Sequence, residues 1–126
     1  MFATGVQHKL NAYHALVGDF GEETTPHTHP YLVEWRVATE RLDENGFATD
    51  IAAMEAVIAE ELSAIDGVLL NDLPYFEDRQ TSLENVCTFL HERFKTALEK
   101  REAAPPESIM TVRIWESDTA WASFEG

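Results

Sequence analysis

The sequence predicts an α+β fold: an antiparallel four-stranded sheet with two helices on one face, in the order β-β-α-α-β-β. Three observations predict it. Apolar residues alternate with a period of two near both ends of the chain. They recur every three or four residues in two stretches between. The strand-type and helix-type segments are segregated rather than interleaved, which favours an antiparallel sheet over a parallel one. The length, 126 residues, suits a single domain over 1–126, and 44% hydrophobic residues with three Trp and seven Phe are enough to fill its core.

The elements follow in order. Phe2 to Leu16 reads as the first strand, and "VGDFGEETTP" (Val17 to Pro26) is loop chemistry, rich in Gly, Thr and acid. Tyr31 to Thr39 is a half-buried strand, with Tyr31, Val33, Trp35 and Val37 on one face and Glu34, Arg36 and Glu40 on the other. "LDENG" (Leu42 to Gly46) is a turn. Asp50 caps a helix in which Ile51, Met54, Ile58, Leu62 and Ile65 recur every three or four residues, because its carboxylate can accept a free backbone N–H of the first turn. Gly67 and Pro74 break that pattern within "IDGVLLNDLPYF". A second helix starts at about Thr81, where Thr81 and Glu84 have capping-box spacing, and Leu83, Val86, Leu90, Phe94, Ala97 and Leu98 form its apolar face. Pro105 and Pro106 cannot continue it. Period two then returns. Met110, Val112, Ile114 and Glu116 share one face, Ile109, Thr111, Arg113 and Trp115 the other, and "TAWASFE" is the last strand after an "ESD" turn.

Composition excludes several function classes. A net charge of −14 with no basic cluster argues against a nucleic-acid partner. No apolar run reaches the ~18 residues of a membrane span, and the N-terminus lacks the basic-then-apolar pattern of a signal peptide. One cysteine, Cys87, forms no internal disulfide. A cytoplasmic protein is expected. An anionic substrate would meet a repulsive field unless a local positive group, such as a divalent metal, reversed it.

Chemistry concentrates in "TTPHTHPY". His27 and His29 are two residues apart in an extended segment, so both side chains point to the same face. Neutral imidazole is a good zinc ligand, and catalytic zinc commonly takes three protein ligands. The plainer alternative is two solvated loop histidines. His14 strengthens the metal reading: it ends the first strand, and a hairpin would set it beside the start of the next. His8 and His91 have no such placement and read as structural or surface residues. Glu116 continues an apolar face, where a carboxylate is costly unless paired. Its two oxygens suit two parallel N–H donors of an amidine-like edge, as in a pterin or guanine. A strand-end Glu reaching solvent is the plainer alternative.

Together these segments resemble the 6-pyruvoyltetrahydropterin synthase and 6-carboxytetrahydropterin synthase family over nearly the whole chain. "LNAYHAL" (Leu10 to Leu16) is similar to its first zinc-histidine strand, "HTH" to its His-Gly-His, and "GFATDI" (Gly46 to Ile51) to the segment opening its first helix. "IDGVLLND" (Ile65 to Asp72) resembles its Leu-Asp-His segment followed by Leu-Asn. "TSLENV" (Thr81 to Val86) is similar to its Pro-Thr-Leu-Glu-Asn, and "IWES" (Ile114 to Ser117) to its pterin-anchoring segment. The resemblance implies the tunnelling fold and a homohexamer of two stacked trimers with inter-subunit sites. It implies Zn2+ on His14, His27 and His29, the pterin edge on Glu116, and Ser82 against the ring system. It implies 7,8-dihydroneopterin triphosphate as substrate and a carbon–oxygen or carbon–carbon lyase, on the route to folates or to deazapurines such as queuosine.

Two departures qualify the reaction. The family's catalytic Cys, four residues before the first His of the His-x-His, is Glu23 here, with Glu22 as the alternative register. The Asp-His pair retains Asp66, but its His position is Gly67. Cys87 reads as a small core residue and does not replace the missing thiol. A carboxylate beside zinc can act as a general base. Family members with Glu for Cys are associated with aldolase-like cleavage of the dihydroneopterin side chain. The alternative is a hexamer that binds zinc and a pterin-like or purine-like ligand without chemistry.

Overall fold

The computed structural model describes residues 1–126. Strands β1 (Phe2–Leu10) and β2 (Tyr31–Thr39) are followed by helices α1 (Ile51–Ser63) and α2 (Leu83–Lys100), then by strands β3 (Ile109–Trp115) and β4 (Trp121–Glu125). The strands form one antiparallel sheet in the order β1-β2-β3-β4. This is the expected α+β architecture and element order. Register is set by burial, because a one-residue slip would move every apolar side chain to the solvent face. Leu10 therefore sits opposite Tyr31, Val33 opposite Ile114 and Trp35 opposite Val112.

One face of the sheet is covered and the other is not. Tyr31, Val33, Trp35 and Val37 on β2 and Met110, Val112 and Ile114 on β3 are all buried. α1 packs over β1, and α2 packs over β3 and β4. Trp35 and Phe94 tie the central strand to α2, with ring centroids 4.9 Å apart and tilted planes. Burying a side chain of this size contributes roughly 1.5–3 kcal/mol. No helix is long and apolar enough to cross a membrane.

The helix starts are capped as their chemistry requires, with one change from expectation. The Asp50 carboxylate accepts from the N–H groups of Ala52 and Ala53 at 2.9 and 3.4 Å. At α2 the cap is Ser82, not Thr81: Ser82 Oγ accepts from the Asn85 N–H at 3.2 Å. Thr81 is fully buried, and its hydroxyl donates instead to the carbonyl of Ala15 at 3.1 Å. Two adjacent hydroxyl residues offer two capping frames, and the long-range bond of Thr81 selects the second.

The first strand is also shorter than the sequence predicts. It ends at Leu10, not Leu16. Residues 11–13 leave β2 and pair with the segment after α1. The carbonyl of Asn11 accepts from Gly67, Tyr13 N–H donates to Val68 at 2.9 Å, and Leu70 N–H donates to Tyr13 at 2.8 Å. His14 then returns to an isolated antiparallel bridge with His27.

Candidate metal centre

The site is built on that bridge. His14 and His27 exchange both backbone hydrogen bonds, at 2.9 and 3.0 Å, so their side chains stand directly opposite each other. His29 is two residues on in extended chain and joins the same side. The ring centroids lie 4.5 Å apart for His14 and His27, 5.0 Å for His27 and His29, and 6.2 Å for His14 and His29. Glu23 comes from a short turn of 3-10 helix, Gly21–Thr24. Its carbonyl accepts from the Leu16 N–H at 2.7 Å, which places it beside His14 on the same two-residue period. Glu23 Oε2 is 2.6 Å from His27 Nε2, and Oε1 is 4.0 Å from His29 Nε2. One ligand atom from each of His14, Glu23, His27 and His29 lies within 4.8 Å of all the others.

Hydrogen bonding fixes which nitrogens face the centre. His14 Nδ1 lies 2.7 Å from the carbonyl of Thr81, and His27 Nδ1 lies 2.7 Å from that of Thr25. A carbonyl only accepts, so each Nδ1 carries the proton and donates it. In the neutral ring Nε2 then presents a lone pair. The Nε2 atoms of His14, His27 and His29 are all buried without a hydrogen-bond partner; the Glu23 carboxylate lies close to His27 Nε2, but with the proton on Nδ1 both atoms are acceptors and no hydrogen bond joins them. Three converging, unpartnered buried ring nitrogens, two of them fixed as acceptors, are unfavourable alone and suited to a divalent cation. The backbone carbonyls on Nδ1 are the support that orients such ligands. Burial holds the His14 imidazole below its ordinary pKa; the Thr81 bond opposes this, while His27 and His29 add to it and the Glu23 charge opposes it. Neutral imidazole is the ligand form. The side chains of His29 and Glu23 are 29% and 46% exposed, so the group opens to solvent on their side.

The other sequence candidates fall into distinct places. Glu23 joins the group, whereas Glu22 is exposed outside it. Asp66 is exposed in the turn after α1, also outside the group. Its neighbour Gly67 has φ +71°, a left-handed conformation that L side chains rarely adopt, although a Cβ there would meet nothing within 4 Å. Backbone conformation, not crowding, therefore accounts for the glycine. Ser82 is half-buried and uses its oxygen to cap α2. Glu116 is half-buried just past the end of β3, and its N–H donates to Ala120 at 3.0 Å. His8 is exposed on β1, and His91 is buried on α2 against the Phe124 ring.

Sequence reasoning missed two members of this neighbourhood. Tyr31 counts as core by its alternation, yet its ring stands edge-on to His14 and to His29, at 6.2 and 5.6 Å. Burial, then the charges of Glu116 and Glu23, push its phenol well above its ordinary pKa. It thus stands in the field of both carboxylates and keeps its proton. Thr81 contributes a backbone carbonyl, which no side-chain pattern reveals.

The family profile for 6-pyruvoyl tetrahydropterin synthase matches residues 4–126. No curated protein matches the chain by sequence. The Caenorhabditis elegans 6-pyruvoyl tetrahydropterin synthase structure is similar with a TM-score of 0.81 at 20% identity, over 99% of this chain and 95% of that one. The Plasmodium falciparum 6-pyruvoyl tetrahydropterin synthase gives 0.70 at 15% identity, over 98% of each chain. A Plasmodium vivax 6-pyruvoyltetrahydropterin synthase, a catalytic-residue mutant with glutamate changed to cysteine, gives 0.72 at 13% identity, over 100% of this chain and 99% of that one.

Proposed function

The chain belongs to the 6-pyruvoyl tetrahydropterin synthase family, a lyase-type group of pterin biosynthesis, and on that premise we propose that it is a zinc-dependent lyase acting on the side chain of 7,8-dihydroneopterin triphosphate, with Glu23 as general base. The observation that carries this reading is the convergence of Glu23 with three unpartnered imidazole nitrogens.

His14, His27 and His29 would hold the zinc. Bound there, it supplies Lewis-acid stabilisation of negative charge developing on substrate oxygen. Glu23 supplies the proton acceptor. Its side chain is half-exposed on the open side of the group, where a carbon-bound proton of a substrate can meet it within hydrogen-bond reach. The glutamate called catalytic in the Plasmodium vivax relative supports a carboxylate in this role. Glu116 would accept two parallel N–H bonds from the pterin edge, and the Ser82 hydroxyl proton, free because its oxygen caps the helix, would face the ring system. Tyr31 stays protonated beside His14 and His29, in the field of Glu116, and can donate a hydrogen bond there. Asp66, exposed and apart from the group, would join proton transfer across a subunit boundary of a homohexamer.

Gly67 favours a second reading, because it supplies no acid where the family has one: a hexamer that holds zinc and a pterin-like or purine-like ligand without turning it over. One experiment separates the two. Metal-quantified protein is incubated with 7,8-dihydroneopterin triphosphate and, separately, with dihydroneopterin, and the products are read by mass. The lyase reading expects stoichiometric zinc, a new pterin product, and a loss of roughly 10²–10⁴-fold in rate with Glu23→Ala. The product mass distinguishes elimination of the triphosphate from aldolase-like cleavage. Stoichiometric zinc with both substrates unchanged would overturn the lyase and leave the binding protein.

A further inference from the structure

Residues 13–17 carry His14 and anchor the backbone of Glu23, yet they belong to none of the strands. Along an extended segment, alternate residues direct their N–H and C=O groups to opposite sides. The even residues face the histidine loop: His14 pairs with His27, and the Leu16 N–H donates to Glu23. The odd residues face away, toward the segment after α1. Tyr13 finds main-chain partners there, in Val68 and Leu70.

Ala15 and Val17 find side chains instead. Asn71 Oδ1 accepts from the Ala15 N–H at 2.9 Å, and its Nδ2 donates to the Ala15 carbonyl at 2.8 Å. Gln80 repeats the arrangement two residues on. Its Oε1 accepts from the Val17 N–H at 2.7 Å, and its Nε2 donates to the Val17 carbonyl at 3.0 Å. A primary amide is the side chain that offers a donor and an acceptor side by side, as a peptide group does. Both amides are themselves anchored. Asn71 follows the buried Leu70, and Gln80 precedes the buried Thr81, whose carbonyl holds His14 Nδ1.

We infer that Asn71 and Gln80 are positioning residues that act as a surrogate strand, Asn71 fixing His14 in its metal-binding orientation and Gln80 fixing the backbone that registers Glu23 against it. The His14 part rests on the zinc reading above; the Glu23 part is a statement about backbone geometry and does not. Each amide brackets a different functional residue. Ala15 adjoins His14, and Val17 adjoins Leu16, the donor to Glu23.

The test uses Asn71→Asp and Gln80→Glu, which keep side-chain shape and one acceptor but cannot donate to the carbonyl. Zinc affinity is measured by competition with a chromogenic chelator, and backbone exchange at Leu16 by NMR. Asn71→Asp is expected to weaken zinc binding about 10–100-fold, and Gln80→Glu to leave it within about threefold. Gln80→Glu is expected to speed exchange of the Leu16 amide at least about tenfold, because that amide's bond to Glu23 opens locally. If Asn71→Asp binds zinc as the unaltered protein does, its amide merely fills space and the His14 half fails. If exchange at Leu16 is unchanged in Gln80→Glu, the Glu23 half fails. An unaltered protein that binds no zinc would sink the metal reading, while the exchange result still judges the clamp. Asn71 and Gln80 are both half-buried, and their variants are read by separate measurements, so should one variant not fold the other still judges its own half.

Discussion

The covered face of the sheet and the segment from Asn11 to Pro30 are held together by different forces. On the covered face Trp35, Phe94, Met54, Ile58, Leu62, Leu90 and Ile114 are at most 2% exposed, and they touch one another as a single cluster. Each contributes non-directional burial, and several neighbours share the task of excluding water. In the loop segment Val17 and Phe20 are 72% and 52% exposed, and what holds the chain is a series of separate hydrogen bonds. His14 depends on Thr81 and His27, Ala15 on Asn71, and Leu16 on Glu23. The core is therefore redundant and the site is not. Damage to the core should appear as lost stability of the whole molecule. Damage to the loop should appear as lost chemistry in a folded protein.

The largest effect should come from removing one of the converging nitrogens. His14→Ala is expected to abolish stoichiometric zinc binding, beyond the ~10–100-fold loss typical of altering a group that only orients a ligand, and turnover with it. Far-ultraviolet circular dichroism should remain that of the folded protein, because His14 lies outside every strand and helix and the substitution removes one buried, unpartnered ring nitrogen. Zinc content after dialysis against zinc-buffered solution measures this. A variant that still retained one zinc per chain would remove His14 from the ligand set and break the contrast.

The next effect tests the other region. Phe94 is fully buried on α2 against Trp35. Phe94→Ala is expected to cost about 3–5 kcal/mol in stability by leaving a cavity that close packing cannot refill. Urea unfolding measures the loss. Zinc affinity of the remaining folded molecules should be close to that of the unaltered protein. If zinc affinity fell in parallel with stability, the two regions would be one cooperative unit.

The same contrast explains what the sequence made legible. β2 and β3 alternate because one face is buried, and α1 and α2 repeat every three or four residues for the same reason, so these elements are visible residue by residue. His27 and His29 share a side in any extended chain, whether or not it is a strand. β1 misled because alternation outlasts its hydrogen bonding. Leu10, Ala12 and His14 are all buried, although the backbone changes partners after Leu10. The cap of α2 was ambiguous because Thr81 and Ser82 are both good caps. Tyr31 was hidden by fitting the core pattern too well. Asn71 and Gln80 had no local signal at all, since their partners lie 56 and 63 residues away in sequence. Directional bonds between distant residues leave no periodicity, and the site is made of such bonds. Glu23 was legible only through the family resemblance.

The smallest expected effect concerns Cys87, the chain's single thiol, which lies on the core side of the contrast. It is fully buried on α2, and its Sγ–H donates to the Ala122 carbonyl of β4 at 3.4 Å. Burial is the main cause that pushes the thiol from 9.0 up to about 12; a backbone bond from Ile114 opposes it and the Glu84 charge adds to it. The thiolate is the reactive form, so a disulfide reagent at pH 8 should leave Cys87 unmodified in the folded protein and modify it at once in urea. The sign of the pH dependence follows. The neutral thiol is the folded form, so its contribution to stability is complete below about 9 and declines as pH rises from there toward about 12, where the unfolded chain ionises and the folded chain does not. Cys87→Ala removes this alkaline dependence and should cost only about 1 kcal/mol at neutral pH. Rapid labelling in the absence of urea would mean that the contact between α2 and β4 opens readily. The core would then share the local mobility that the contrast reserves for the loop.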